Sequence, residues 1–204
     1  MQCSRCKSIK YCSAACQEAH WPKHKTQCKK FAVDTTNPDK YPFHAIFQTK
    51  FLHNRDETKT YQLLIDCLRM HQEDVYALKG DLMFGTIYNQ EASSIKAFKQ
   101  FLAKAKWVPG FFPAWWTEEK EKTCIEYGMT DAHFSLKCAQ EKHDIQRQWK
   151  DPQMPMKLRM VAESVYSQDP GESGSEQVLD MMLQTERGTI RATTLEASAA
   201  RKKR

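Results

Sequence analysis

Long apolar runs are missing from this chain. No stretch of about 18 hydrophobic residues occurs, and no apolar segment of signal-peptide type follows Met1. With a mean hydropathy of −0.70, the expectation is a protein with no membrane span, in the cytosol or nucleus. Period-two alternation is scarce as well, residues 83–88 being the one weak strand candidate. The catalytic signatures G-x-G-x-x-G, G-x-S-x-G and H-E-x-x-H do not occur. Acidic residues are almost missing from one end. In residues 1–30, Glu18 stands against Arg5, Lys7, Lys10, Lys23, Lys25, Lys29 and Lys30, a net +6. That equals the net charge of the whole 204-residue chain. Such a basic segment suits an acidic peptide, or lysines that solvate a very small domain, better than nucleic acid.

What the first 28 residues do have is ligands. Five of the eight cysteines fall there, in the pattern Cys3-x2-Cys6-x5-Cys12-x3-Cys16-x7-His24-x3-Cys28. Zinc takes four sulfur or imidazole ligands in a tetrahedron, and short Cys/His loops supply them without a large core. About 28 residues bury too little apolar surface to fold alone, so folding here should depend on metal and, through thiolate formation, on pH. Clustered ligand cysteines with no secretion signal also fit a reducing compartment. The spacing does not match the two-Cys, two-His fingers that read DNA. His20, one helical turn after Cys16, is a candidate extra ligand.

Cys3-Ser4-Arg5-Cys6, Tyr11-Cys12-Ser13, Cys16-Gln17, His20-Trp21 and His24-Lys25-x2-Cys28 resemble the second half of a MYND zinc finger. That resemblance implies two interleaved zincs on eight ligands. It makes Cys3, Cys6, His24 and Cys28 one complete, closed, structural site. Cys12 and Cys16 then belong to a second site, incomplete here because the family's first Cys pair would lie upstream of Cys3. The expected cofactor is therefore zinc, with one site complete. The resemblance also implies binding of short proline-containing peptides, with Ser13, Gln17 and Trp21 as the expected surface. Some MYND fingers accompany a β-rich SET lysine methyltransferase domain with an Asn-His signature, and neither feature is read here.

Beyond the finger the pattern is helical. A polar, turn-rich connector at 34–39 leads to Phe43, Ile46, Phe47 and Phe51 at helical spacing. Asp56 or Thr58 can cap a helix carrying Tyr61, Leu64, Ile65, Leu68 and Val75. Ser93 or Ser94 can cap the next, with Ile95, Phe98, Leu102 and Ala105. Thr117 starts another that Gly128 would end as the C′ residue. Asp131 would cap a fifth, with Phe134, Cys138, Ile145 and Trp149 on one face, and Pro155 fits the first turn of a sixth. The Pro- and Trp-rich stretch at 107–116 reads as a packed loop. Within it Pro113-Ala114-Trp115-Trp116, together with the segment at 151–160, resembles fungal MYND-finger proteins. Cys67 reads as a core thiol and His71 as a surface imidazole. Cys138, Glu141 and His143 suggest a nucleophile, but a stripe cysteine is inert. After Tyr166 the core pattern stops, apart from a short amphipathic set at Val178, Leu179, Met182 and Leu183. The last four residues, Arg201 to Arg204, form a candidate nuclear-import signal.

The expected architecture is a small zinc-stapled MYND-like finger (1–30), a linker (31–42), an all-α helical domain (43–166) and a disordered, basic-ended tail (167–204). The expected function is that of an interaction module or adaptor binding other proteins through peptide motifs, and not an enzyme. A DNA-binding co-regulator and a methyltransferase fragment are the alternatives.

Overall fold

The structure is a computed structural model that describes residues 3, 11–26, 28, 37–166 and 174–187. Among these the chain forms eight α-helices and no strand. They are α1 Ala14–His24, α2 Pro42–Phe47, α3 Glu57–Asp74, α4 Ile95–Ala105, α5 Glu118–Thr130, α6 Lys142–Trp149, α7 Met154–Tyr166 and α8 Gly174–Glu186. The chain divides into two compact units, Met1–Asp34 with Glu176–Arg204, and Thr35–Ser175.

The larger unit is built on α3. Asp56 opens it, its carboxylate accepting from Lys59 N at 2.8 Å, which satisfies one of the free donors of the first turn. The helix is buried on more than one face: Leu63, Leu64, Ile65, Cys67, Leu68 and Met70 are all buried, as are Asp66 and Arg69. A helix that buries side chains on several faces needs a neighbour on each of them. Here α7, α4 and α5 pack against it. Burying each such leucine or isoleucine contributes about 1.5–3 kcal/mol. The π turn Val75–Lys79 continues the helix and ends at Gly80.

Several polar groups inside this core are paired, while Arg69 Nε and Gln72 Nε2 are buried without a hydrogen-bond partner among the described residues. Asp66 accepts from Arg69 Nη1 at 3.0 Å and from Trp149 Nε1 at 2.7 Å, and Arg69 Nη1 also donates to the His133 carbonyl at 3.0 Å. One buried carboxylate thus joins α3, α6 and the loop before α6. Arg159 grips Asp74 through two bonds of 2.6 Å, linking α7 to α3. Burial pushes Asp66 up to about 6 despite its two donors.

Several sequence expectations change here. Gly128 does not end α5, which runs on to Thr130. A Cβ at 128 would lie 3.0 Å from Leu136 Cγ and Cδ1 and 3.2 Å from Ile65 Cδ1, so glycine is there for close approach. Asp131 opens no helix: its N–H closes the end of α5 on the Tyr127 carbonyl, and its carboxylate accepts from His133 N and Phe134 N and closes a turn. The next helix starts only at Lys142, which leaves Cys138 exposed in a loop rather than on a buried stripe. Residues 83–88 form no strand, because Gly85 adopts φ +76° and Ile87–Asn89 is a 3₁₀ turn. Phe47 is 62 % exposed because α2 stops there.

His71 is no surface imidazole. Its ring stacks on Tyr166 with centroids 4.0 Å apart, and burial brings it down to about 4. Cys67 is core, as expected. The loop at 107–116 packs through stacked rings, Phe112 on Trp116 at 4.5 Å, although Trp107 is 83 % exposed. The caps at Thr117, accepting from Lys120 N, and the position of Pro155 in the first turn of α7 match expectation.

In the smaller unit α8 carries the Val178–Leu183 pattern, with Met182 and Leu183 buried. The rest of the stretch read as tail, including Arg201 to Arg204, lies outside the described residues.

Candidate metal centre

Helix α1 delivers the site. Ser13 takes extended backbone angles and its Oγ accepts from Cys16 N at 3.2 Å, which fixes where the helix begins. Eleven residues later the helix ends at His24, the residue of α1 that is buried. Pro22 lies in the last turns and removes one internal donor, and Lys25 N still closes on the Trp21 carbonyl at 2.8 Å.

His24 Nε2 lies 3.4 Å from Cys3 Sγ, and Cys3 Sγ lies 3.8 Å from Cys28 Sγ. The three ligand atoms are all within 4.8 Å of one another, and all three residues are buried. Two sulfurs on one tetrahedral zinc, each with a bond of about 2.3 Å, sit about 3.8 Å apart. Two thiols and one imidazole at these separations fit zinc in donor type and in geometry. Cys6, the expected fourth ligand, lies outside the described residues.

Rings enclose the histidine. Tyr11 is buried with Cys3 and Cys28, and its ring meets His24 edge-on at 6.4 Å. His20 stacks on His24 at 5.8 Å, and Trp21 approaches it edge-on at the same distance. The extra candidate ligand, His20, places Nδ1 3.1 Å from Tyr11 Oη. It is not one of the three residues gathered around the metal position. The Tyr11–His20 pair was not read from the sequence as a structural contact, although an aromatic residue directly before Cys12 was its signal.

Cys12 and Cys16 stand apart from the three-ligand group. Both are exposed, with their Sγ atoms 2.7 Å apart. The Cys12 thiol, and after it the Ser13 hydroxyl, hold the Cys16 thiol below the usual cysteine value. Of the expected peptide-binding residues, Ser13 is exposed but its Oγ serves the helix cap, and Gln17 is half-buried. Trp21 is 38 % exposed.

Residues 1–28 match the family model of the MYND finger. The chain therefore carries a MYND-type zinc finger, a zinc-binding protein-interaction module, followed by helices. Over 38 residues it is 53 % identical to ubiquitin carboxyl-terminal hydrolase 19 of Arabidopsis thaliana, covering 18 % of this chain and 6 % of that one. Over 29 residues it is 59 % identical to the human histone-lysine N-methyltransferase SMYD3, covering 14 % and 7 %. Over 36 residues it is 47 % identical to the SET domain and MYND-type zinc finger protein 6 of Schizosaccharomyces pombe, covering 18 % and 8 %. The chain thus spans less than a tenth of the length of these relatives. No solved structure matches it.

Proposed function

We propose that the protein is an adaptor whose zinc-held finger binds short, proline-containing peptides of other proteins. In this reading one zinc is held by Cys3, Cys6, His24 and Cys28, and four protein ligands leave no open position for a catalytic water. The chain is then a binding module and not an enzyme. The hydrolase and methyltransferase names belong to relatives that it matches over 29 to 38 residues. Its location is nuclear or cytoplasmic, where thiols stay reduced. The segments 1–30, 31–42, 43–166 and 167–204 are its finger, linker, helical domain and tail.

The observation that carries this reading is Trp21. Its indole rests edge-on against the metal-binding His24 yet remains 38 % exposed, one turn from Gln17 on α1. A flat indole beside an amide suits an extended peptide whose proline has already lowered its ordering cost. The test is titration of a proline-containing peptide panel into wild-type protein and Trp21→Ala, with zinc content measured alongside. We expect a peptide that binds the wild type and loses about 1–3 kcal/mol in Trp21→Ala while zinc is retained. Full affinity in zinc-loaded Trp21→Ala would eliminate the surface.

A further inference from the structure

One surface of the larger unit is apolar and faces solvent. Tyr76, Leu78, Leu82 and Phe84 fall within nine residues, and each is between 51 % and 74 % exposed. The backbone holds them as a group. Gly80 N donates to the Tyr76 carbonyl at 3.1 Å and Asp81 N to the Val75 carbonyl at 3.2 Å, so the turn after α3 closes on itself. Both ends of the segment are anchored. The Tyr76 ring lies 5.0 Å from that of Tyr88, whose hydroxyl donates to Glu73. Just past Phe84, the Gly85 carbonyl accepts from Ala97 N at 3.2 Å, and the buried Thr86 donates its hydroxyl to the Met83 carbonyl at 2.7 Å. At the tip, a Cβ on Gly80 would meet nothing within 4 Å. The segment is therefore a fixed, protruding knob whose apolar side chains are held outward.

We propose that this knob is an interface between two copies of the chain, joined face to face about a two-fold axis. Area and charge both select that occupant. Side chains of this size present about 150–250 Å² each when bare, so the four expose roughly 450 Å². That is within the range of the largest apolar patch on a typical monomer, about 300–600 Å², and such patches mark contact sites. It is also more than half of the roughly 800 Å² that each partner buries in a stable pair, and Val75, Ala77 and Met83 extend it. The charge is balanced. Residues 75–84 carry one cation, Lys79, and one anion, Asp81. The larger unit, residues 35–175, holds 18 Lys/Arg against 19 Asp/Glu, a net −1. A polyanion such as nucleic acid or an acidic bilayer is drawn to an excess of cations, and this surface has none. A second copy offers an equally neutral and equally apolar patch, and in a two-fold contact the same residues serve on both sides.

The experiment is analytical ultracentrifugation of the zinc-loaded full chain across the micromolar range. As concentration rises, the wild type is expected to pass from monomer to a species of twice the mass and to stop there. Leu78→Asp and Phe84→Ser change side chains that one copy leaves mostly in solvent. Each is expected to keep the zinc content and thermal melt of the wild type while dimerisation weakens by roughly tenfold or more. Trp107→Ser, at an exposed ring elsewhere on the same unit, is expected to dimerise as the wild type does. The proposal is overturned by a wild type that stays monomeric at every concentration, which would assign the knob to a different protein. Growth past the dimer would overturn it, as would dimers of Leu78→Asp and Phe84→Ser as tight as those of the wild type, or a Trp107→Ser change that weakens the pair as much as Leu78→Asp does. Trp21→Ala is expected to dimerise normally, so failure here is distinct from failure of the adaptor reading.

Discussion

At the scale of single residues, two buried ionisable groups give opposing pH dependences. Burial holds Asp66 up at about 6 against an ordinary 3.8. Between those values the unfolded chain releases the proton and the folded one keeps it, so stability falls as pH rises from about 4 to 6. Burial, with the Lys79 and Lys104 cations, brings His71 down to about 4 against 6.5, although Asp74 acts the other way. Across that window the unfolded chain binds the proton first, so stability rises with pH from about 4 to 6.5. Each effect is on the order of 3 kcal/mol, and they nearly cancel between pH 4 and 6. Urea unfolding of the wild type should therefore change little over that range. Asp66→Asn should expose a slope rising with pH, and His71→Phe, which keeps a ring against Tyr166, a falling one. Two variants running parallel to the wild type would refute the assignment. Gly128 supplies another residue-level outcome. Gly128→Ala puts a methyl 3.0 Å from Leu136, and we expect a loss of about 1–3 kcal/mol in the same unfolding measurement despite the better helix propensity of alanine.

At the scale of elements, α3 was legible because its signals agree: an acidic cap, a run of 18 helical residues and apolar positions at helical spacing. Thr117→Ala, which removes the cap of α5, should cost about 1 kcal/mol in a thermal melt and leave the helix boundaries intact. No measurable shift would mean that the cap is redundant. The stretch at 131–141 was misread because its helix-like pattern competes with backbone bonds that no periodicity reveals. Ser94 N donates to the Leu136 carbonyl and Leu136 N donates to the Gly128 carbonyl, both at 2.7 Å, so residue 136 is held between α4 and α5 and cannot join a helix. Gly128 misled for a related reason. A glycine required by a neighbour's side chain looks, in sequence, the same as one that ends a helix. Cys3, His24 and Cys28, which the structure gathers, stood out in the sequence as members of a dense Cys/His pattern, since zinc chemistry restricts residue type. The bond from Tyr11 to His20 was not legible, because it joins residues nine apart through the turn that Ser13 creates.

At the scale of the whole molecule, the chain falls into a unit containing the finger and one built on α3. In the first, metal coordination takes the place of a large core; in the second, leucines, isoleucines and phenylalanines form it. Losing the metal should therefore unfold one unit and spare the other. The most direct measurement is native mass spectrometry of the full chain after mild chelation, paired with hydrogen exchange of wild type and Cys28→Ala. The account predicts one tightly held zinc in the wild type and none in Cys28→Ala. It also predicts that exchange in the variant rises across residues 11–28 while the α3 amides remain protected. A chain with no zinc, one with two equally tight zincs, or a Cys28→Ala variant that keeps its zinc would contradict it.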